Sequence, residues 1–232
     1  MLKINNIYKS FGSKKVLKGI SLDVAPGDIV GLVGLSGCGK STLLKILVGY
    51  HTADKGSVIF RAKDITQNFK GIKKTVGYTT QDNTFYEKLT VYENMQYYAS
   101  LYGVKRKDIQ DHIYNILKSV NLYDARDKLA EDISGGMKRR LDFAISIIHD
   151  PELIILDEPT AGLDPLLIDQ FWNVVQSVVK KGNKAVIMSS HILSEIEDHC
   201  NKVALMKNGK IEELWKISKG FDLDKKFRDV FK

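Results

Sequence analysis

A phosphate-binding loop constrains the fold of this chain more than any other feature. Residues 34–42 read Gly-Leu-Ser-Gly-Cys-Gly-Lys-Ser-Thr, which matches the pattern of a glycine, four free positions and then Gly-Lys-Ser/Thr. An apolar run from Ile29 to Val33 precedes this loop as a buried strand would, and leucines at helical spacing follow it from Ser41 to Val48. In such a strand–loop–helix unit, backbone N–H groups and the helix N-terminus surround phosphate oxygens. The sequence therefore predicts an α/β fold that binds a nucleotide phosphate at the end of a strand.

The loop also carries two side chains with predicted chemical roles. Lys40 brings a mobile positive charge to the β- and γ-phosphates, and the Ser41 hydroxyl can ligate Mg²⁺. The predicted nucleotide contacts of the loop are Gly34, Ser36, Gly37, Cys38, Gly39, Lys40, Ser41 and Thr42.

A pair of carboxylates in the second half of the chain predicts the rest of the site. Four apolar residues, 153–156, lead directly into Asp157 and Glu158. Strands of a parallel sheet deliver ligands at their carboxyl ends, so both acids are expected beside the phosphate loop. Asp157 is predicted to hold Mg²⁺ through water, and Glu158 to orient and deprotonate the attacking water as the catalytic base.

Composition excludes several classes of protein. Among the 232 residues no stretch approaches the roughly 20 apolar residues that a membrane span needs, and the N-terminus lacks the apolar core of a signal peptide. We therefore expect a cytosolic chain that does not itself cross a bilayer. The cysteines, Cys38 and Cys200, are expected to be free thiols rather than a disulfide framework. Although the formal charge is +7, the basic runs are not interleaved with aromatic residues, so no nucleic acid partner is expected.

The periodicity of apolar residues changes twice along the chain. Strand-like alternation dominates the first third, helical spacing takes over from Val91 to about His149, and strand signals return after Pro151. We predict a single domain over 1–232, with an α/β core from 1–81 and 151–232 and a helical insertion at 82–150.

Ser134-Gly135-Gly136 stands near the start of the last helical stretch of that insertion. Ser134 is a natural helix cap, which is one interpretation. The other is an anion site, in which a hydroxyl, two flexible glycine N–H groups and a helix N-terminus hold a terminal phosphate.

With these motifs in this order, the chain resembles the nucleotide-binding domain of ABC transporters along essentially its whole length. The resemblance implies the ABC ATPase architecture: a RecA-like P-loop NTPase core, an antiparallel β subdomain and a helical subdomain that carries the Ser-Gly-Gly signature. It also implies ATP and Mg²⁺ as cofactors and ATP hydrolysis as the reaction.

Four further residues acquire roles through this resemblance. Phe11 corresponds to the aromatic residue that stacks on adenine, with Tyr8 as a competing candidate. Gln81 matches the glutamine that approaches Mg²⁺ and the γ-phosphate, and His191 matches the histidine that hydrogen-bonds the γ-phosphate. Asp164 matches the loop that crosses between subunits, although it is also placed to cap the helix that begins at Pro165.

The resemblance further implies that one chain cannot complete the site. In the family, Ser134 and Gly136 of one subunit would cover ATP held by Lys40 of another, and the expected second ATPase subunit is a copy of this chain or a paralogue. A transmembrane permease is the expected partner, so the chain would lie peripherally at the cytoplasmic face of the cell membrane. The segment just after Gln81 is where the family meets that partner.

The signature departs from the usual Leu-Ser-Gly-Gly-Gln, because Met137 replaces the glutamine. The longer run Ser-Gly-Gly-Met-Lys-Arg-Arg-Leu-Asp at 134–142 resembles exporter ATPases for drugs, lipids, polysaccharides or peptides. We therefore expect the energy-coupling subunit of an exporter. The alternatives are a soluble ABC ATPase that acts on nucleic acid, ribosomes or an assembly complex, and an importer subunit.

Overall fold

A computed structural model describes residues 1–67, 72, 74–80, 82–105, 109–182 and 184–231. The chain divides into two compact units. The first comprises Met1–Lys73, Ile155–Glu158 and Ala185–Lys232, and the second comprises Lys74–Ile154 and Pro159–Lys184. The second unit therefore holds residues 159–184 in addition to the helical insertion predicted at 82–150.

The described strands are β1 (Leu2–Phe11), β2 (Lys14–Val24), β3 (Ile29–Val33), β4 (Lys55–Phe60), β5 (Lys63–Asp64), β6 (Val76–Thr79), β7 (Leu153–Asp157), β8 (Ala185–Ser189), β9 (Lys202–Lys207) and β10 (Lys210–Lys216). The α-helices are α1 (Lys40–Leu47), α2 (Val91–Tyr102), α3 (Ile109–Ser119), α4 (Gly135–Ile147), α5 (Pro165–Gly182), α6 (Leu193–His199) and α7 (Leu223–Phe231).

The first unit contains an antiparallel sheet in the order β2-β1-β4-β5. Along β1 and β2 buried apolar residues alternate with exposed polar residues, which is the pattern of a sheet with one solvated face. This sheet carries Phe11 at the end of β1.

A parallel sheet forms the centre of the first unit. β3 lies between β8 and β9 and pairs with both in parallel, while β10 adds antiparallel to β9 at the edge. All residues of β3, β7 and β8 are buried, as expected for apolar strands covered on both faces. β7 follows β8 in the strand order, and Asp157 at the end of β7 accepts a hydrogen bond from Ser189 at the end of β8, so the carboxyl ends of β3, β8 and β7 come to the same edge of the sheet.

The second unit is mainly helical. It contains α2 to α5 and β6. It also contains the first two residues of β7, the strand next to β6 in the sheet. Thr90 begins α2 with a capping box: its hydroxyl accepts from the Glu93 N–H at 3.1 Å, and the Glu93 carboxylate accepts from the Thr90 N–H at 2.8 Å.

β9 and β10 form a hairpin around Asn208 and Gly209, which both have positive φ, as the tight turn requires. Cys38 and Cys200 are free and buried. Two elements of the first unit, α6 and α7, were not predicted. Within the described ranges no helix is both long and apolar enough to cross a membrane.

Candidate active site

The phosphate loop connects β3 to α1 in the first unit. Gly34 has a φ of 154°, and a Cβ at this position would lie 2.2 Å from the carbonyl oxygen of Met206. A side chain is therefore excluded there by the backbone of the neighbouring strand β9. The loop closes on itself through the Cys38 N–H, which donates to the Leu35 carbonyl at 3.2 Å.

The first turn of α1 remains open to an anion. Its N-cap is Gly39, and no side chain of the described residues caps this end. The N–H groups of a helix's first turn lack partners within the helix and carry the positive end of its dipole. An uncapped N-terminus behind a glycine-rich loop is thus suited to bind a phosphate.

Most of the predicted residues of the first unit surround one cavity of about 530 Å³, a volume in the range of small-ligand sites. Its walls are Phe11, Lys14, Val16, Gly34, Ser36, Gly37, Gly39, Lys40, Ser41, Thr42, Glu158 and His191. Cys38 and Asp157 are not on these walls. Cys38 is turned into the protein behind Gly34, and Asp157 is buried behind Ser41.

Lys40 is held inside the loop. Its ammonium donates to the Gly34 carbonyl at 2.8 Å, and the residue is 8% exposed. The positive charge therefore lies at the loop itself, where its attraction for an anion is weakly screened by solvent.

Asp157 is the centre of a hydroxyl network. Its Oδ1 accepts from the Ser41 hydroxyl at 3.0 Å and from the Ser189 hydroxyl at 2.6 Å. Hydroxyl and carboxylate oxygens are the hard ligands that Mg²⁺ prefers. The donor set of Ser41 and Asp157 therefore fits this ion, with Asp157 one layer behind the cavity wall. Gln81, the third predicted contributor, lies outside the described residues.

Glu158 has a strained backbone. Its φ is 51°, in the left-handed region that non-glycine residues rarely adopt, and its N–H donates to the Ser189 hydroxyl at 3.1 Å. Such strain costs on the order of 1–3 kcal/mol and persists where the surrounding structure fixes the conformation. The conformation directs the Glu158 side chain to the cavity, where its Oε2 lies 3.7 Å from Nδ1 of His191.

His191 follows β8 in a loop that a buried serine fixes. The Ser190 hydroxyl donates to a Glu195 carboxylate oxygen at 2.6 Å and accepts from the Ile192 N–H at 3.0 Å. The backbone on both sides of His191 is thus held while its ring stays 63% exposed at the cavity wall.

Several contributors were missed from the sequence. Ser189 touches both predicted acids, and Lys14 and Val16 form part of the cavity wall. Ser189 could have been noticed, because it ends an apolar strand two residues before His191. Nothing in the local pattern of β2 marks Lys14 or Val16, since they reach the cavity only through the pairing of β2 with β1.

The two aromatic candidates for adenine stacking lie in different places. Phe11 is on the cavity wall, 45% exposed, with its edge against His51 at a centroid distance of 5.2 Å. Tyr8 is not among the lining residues and lies over Gly19, where an added Cβ would meet the Tyr8 hydroxyl oxygen at 2.9 Å.

The remaining predicted residues belong to the second unit. Ser134 is the N-cap of α4 and accepts from the Met137 N–H at 3.3 Å, so the capping interpretation holds. A Cβ at Gly135 would meet no atom within 4 Å, so this glycine faces open space. Asp164 likewise caps α5, accepting from the Leu167 N–H at 3.0 Å.

Comparison with known proteins gives one consistent family. A family model described as ABC transporter matches residues 17–161. The lantibiotic transport ATP-binding protein SrtF of Streptococcus pyogenes is 33% identical over 231 residues, covering 100% of this chain and 96% of that protein. The Nod factor export ATP-binding protein I of a Rhizobium strain is 32% identical over 209 residues, covering 90% and 68%. The solved structure of MJ1267, an ATP-binding cassette of an ABC transporter, superposes with a TM-score of 0.90 at 27% identity and covers 100% and 98% of the two chains.

Proposed function

Because the chain belongs to the ABC transporter family, we propose that it is the ATP-hydrolysing subunit of an exporter and drives a separate transmembrane protein. Members of this family bind ATP and hydrolyse it to power transport, so the chain is an ATPase. The direction of transport, the metal ion, the partner subunits and the roles of individual residues are proposals.

The observation that carries the proposal is the meeting of Lys40, Glu158 and His191 at one cavity behind an uncapped helix N-terminus. We assign Lys40 to the β- and γ-phosphates, where its ammonium can exchange the Gly34 carbonyl for phosphate oxygens. Glu158 is the proposed general base, because its carboxylate reaches the cavity and the strained backbone fixes its direction. His191 is the proposed hydrogen-bond donor to the γ-phosphate.

Mg²⁺ is the proposed metal cofactor. Ser41 would ligate it directly, Asp157 would hold it through water, and Gln81 would approach it. The ion held by these residues would supply positive charge against the negative charge that develops on the phosphate oxygens. The Ser189 hydroxyl would keep the Asp157 carboxylate in position for this role, since it donates to Oδ1 at 2.6 Å.

The second unit supplies the proposed contact with another subunit. Ser134, Gly135 and Gly136 open α4, and the open space around Gly135 leaves room for an approaching phosphate. We propose that this helix start covers ATP held by the phosphate loop of a second ATPase subunit, which is a copy of this chain or a paralogue. Asp164 would lie at the same subunit boundary. ATP then joins two subunits through charge-assisted hydrogen bonds, and hydrolysis releases them.

The transmembrane partner and the export direction are inferred from the names of relatives. SrtF is named for lantibiotic transport and the Rhizobium protein for Nod factor export. By analogy, this chain would lie peripherally at the cytoplasmic face of the membrane, bound to a permease whose own segments select the cargo.

The proposal is tested by capturing the membrane partner. The bait is the Glu158→Gln variant with MgATP, added to detergent-solubilised membranes of the native cell, because slow hydrolysis should preserve the ATP-bound assembly. The matched control is Lys40→Ala, which should hold little ATP. Recovery of a polytopic membrane protein with the first bait supports the proposal. Recovery of soluble proteins or nucleic acid alone would contradict it and favour a soluble ABC ATPase.

A further inference from the structure

A buried carboxylate ties helix α4 to the segment that follows Gln81. Asp142 lies on α4, is 1% exposed, and accepts two hydrogen bonds on one oxygen: from the Thr84 N–H at 2.8 Å and from the Thr84 hydroxyl at 2.7 Å. Its other oxygen, Oδ2, is buried and has no hydrogen-bond partner in the described part of the chain. Both residues belong to the second unit.

Thr84 is connected in turn to helix α2. The Tyr98 hydroxyl donates to the Thr84 carbonyl at 2.5 Å, so Thr84 is held through its N–H, its hydroxyl and its carbonyl. A single residue fixed in three ways by two helices has little freedom to move independently of them.

Tyr98 belongs to an aromatic group that reaches the surface, here called the tyrosine cluster, consisting of Tyr86, Tyr97 and Tyr98. The rings of Tyr86 and Tyr97 meet edge to face at 5.0 Å, and those of Tyr97 and Tyr98 at 5.3 Å. Tyr86 is anchored by Asn94, whose side chain accepts from the Tyr86 N–H at 2.8 Å and donates to its carbonyl at 2.9 Å. Tyr86 and Tyr97 are exposed and present apolar ring surface with polar tips, a combination suited to a protein interface.

The burial of the Asp142 carboxylate is not explained by a gain in folding stability. Burial raises its pKa to about 6, against the opposing effects of the Thr84 hydrogen bonds and of the Arg139 charge on the same helix. Among the described residues, Arg139 on α4 and Tyr98 on α2 are the titratable groups that interact with it electrostatically. A buried charge with one unsatisfied oxygen is unfavourable for folding, whereas its strong bonds to Thr84 fix a geometry.

We propose that Asp142 is a positioning residue that locks Thr84 and the tyrosine cluster to α4, so that a movement of this helix is passed to the surface that contacts the transmembrane partner. The N-terminus of the same helix is the Ser134–Gly136 turn, which is the proposed contact with ATP. The inference rests on the proposed function, because it assigns the tyrosine cluster to an apolar segment of that partner. Beyond that function, the inference names Asp142 and Thr84 as the residues that transmit the movement of α4.

The test measures coupling in the complex of the full chain with its transmembrane partner. The quantity is the ratio of turnover in the reconstituted complex to turnover of the chain alone, for three variants. Thr84→Val keeps the side-chain shape and loses the hydroxyl, Asp142→Leu keeps a side chain of similar size and loses the oxygen that accepts from Thr84, and Thr84→Ser keeps the hydroxyl. We expect the first two to lower the ratio about 5-fold or more, in the range typical of coupling between sites, and Thr84→Ser to retain it. Combined, the first two changes should lower the ratio no further than Asp142→Leu alone, because that change already removes both hydrogen bonds to Thr84.

Thr66→Val is the matched control. The Thr66 hydroxyl also donates to an aspartate, Asp64, and is buried, but both residues lie in the first unit. This variant should lose comparable stability while its coupling ratio stays that of the wild type. Co-purification of each variant with the partner shows that assembly is intact.

The outcomes are distinguishable. If Thr84→Val and Asp142→Leu assemble normally and keep the wild-type ratio, or if Thr66→Val lowers it equally, the positioning role of Asp142 is overturned while the proposed function stands. If the wild-type chain binds no transmembrane protein, the proposed function fails and this inference fails with it.

Discussion

At the scale of single residues, one hydroxyl organises both acids of the candidate site. The Ser189 side chain donates to Asp157 Oδ1 at 2.6 Å and accepts from the Glu158 N–H at 3.1 Å. The proposed metal-holding residue and the proposed base therefore share a support. Residues that orient metal ligands typically affect metal affinity or activity by about 10–100-fold.

Replacement of Ser189 by alanine removes both of these bonds without placing new atoms near the phosphate loop. We expect ATP turnover to fall by roughly 10–100-fold and the Mg²⁺ concentration needed for half-maximal turnover to rise, because Asp157 loses its orientation. Turnover measured across a Mg²⁺ titration checks both effects. Ser177→Ala is the matched control, since among the described residues this hydroxyl donates to the Val174 carbonyl within α5. An unchanged Mg²⁺ dependence in Ser189→Ala would argue against the shared support.

The sequence could predict the residues that carry chemistry but not those that hold them. Lys40, Ser41, Asp157 and Glu158 occur in fixed local patterns next to apolar strands, so their presence at one sheet edge follows from the fold type. The positive φ of Glu158 and the double role of Ser189 depend on how β7 lies beside β8. That pairing joins residues about 30 positions apart, and no local pattern encodes it.

At the scale of secondary-structure elements, the helix starts differ in a way that matches their proposed work. α2 is capped by the side chain of Thr90, whereas α1, whose N-cap is Gly39, has no side-chain cap from any described residue. Side-chain capping satisfies the free N–H groups of a helix start and so stabilises the helix. Leaving α1 uncapped keeps those groups available for phosphate, while α2 is fixed by its own sequence.

The cap of α2 gives a stability prediction with a conservative rescue. Thr90→Ala removes the acceptor for the Glu93 N–H and should lower the free energy of unfolding by about 1 kcal/mol. Thr90→Ser retains the oxygen and should lose much less. Urea denaturation of both variants measures the difference, and the ATP dissociation constant should not change, since Thr90 belongs to the second unit. Equal stability of the alanine and serine variants would show that the capping box does not contribute.

The elements missed by sequence analysis are short or terminal. α6 has only seven residues, too few for a clear helical period. α7 spans Leu223–Phe231, with Leu223, Phe227 and Val230 at helical spacing. No helix was predicted there because this segment carries no recognised motif. In the structure the Leu223 side chain is buried and its N–H donates to the Glu197 carboxylate at 2.9 Å. The helical spacing is therefore in the sequence of α7, whereas its contact with α6 is visible only in the structure.

At the scale of the whole molecule, the predicted catalytic residues and the Ser-Gly-Gly signature belong to different units. The cavity with Phe11, Lys40, Glu158 and His191 lies in the first unit, and Ser134–Gly136 lies in the second. The order of the motifs was sufficient to predict the family and the fold class. The extent of the second unit was not predictable, because residues 159–184 join it through tertiary contacts rather than through a change in the sequence pattern.

The central claim is that Glu158 activates water for an ATP molecule bound at Lys40, and one comparison tests it most directly. ATP binding and ATP turnover are measured for the wild type, Glu158→Gln and Lys40→Ala, each purified with the subunits that accompany it. The account predicts that Glu158→Gln binds ATP like the wild type but turns it over about 10²–10⁴-fold more slowly, because it lacks the proton acceptor. Lys40→Ala should instead lose ATP affinity. Wild-type turnover in Glu158→Gln would contradict the account.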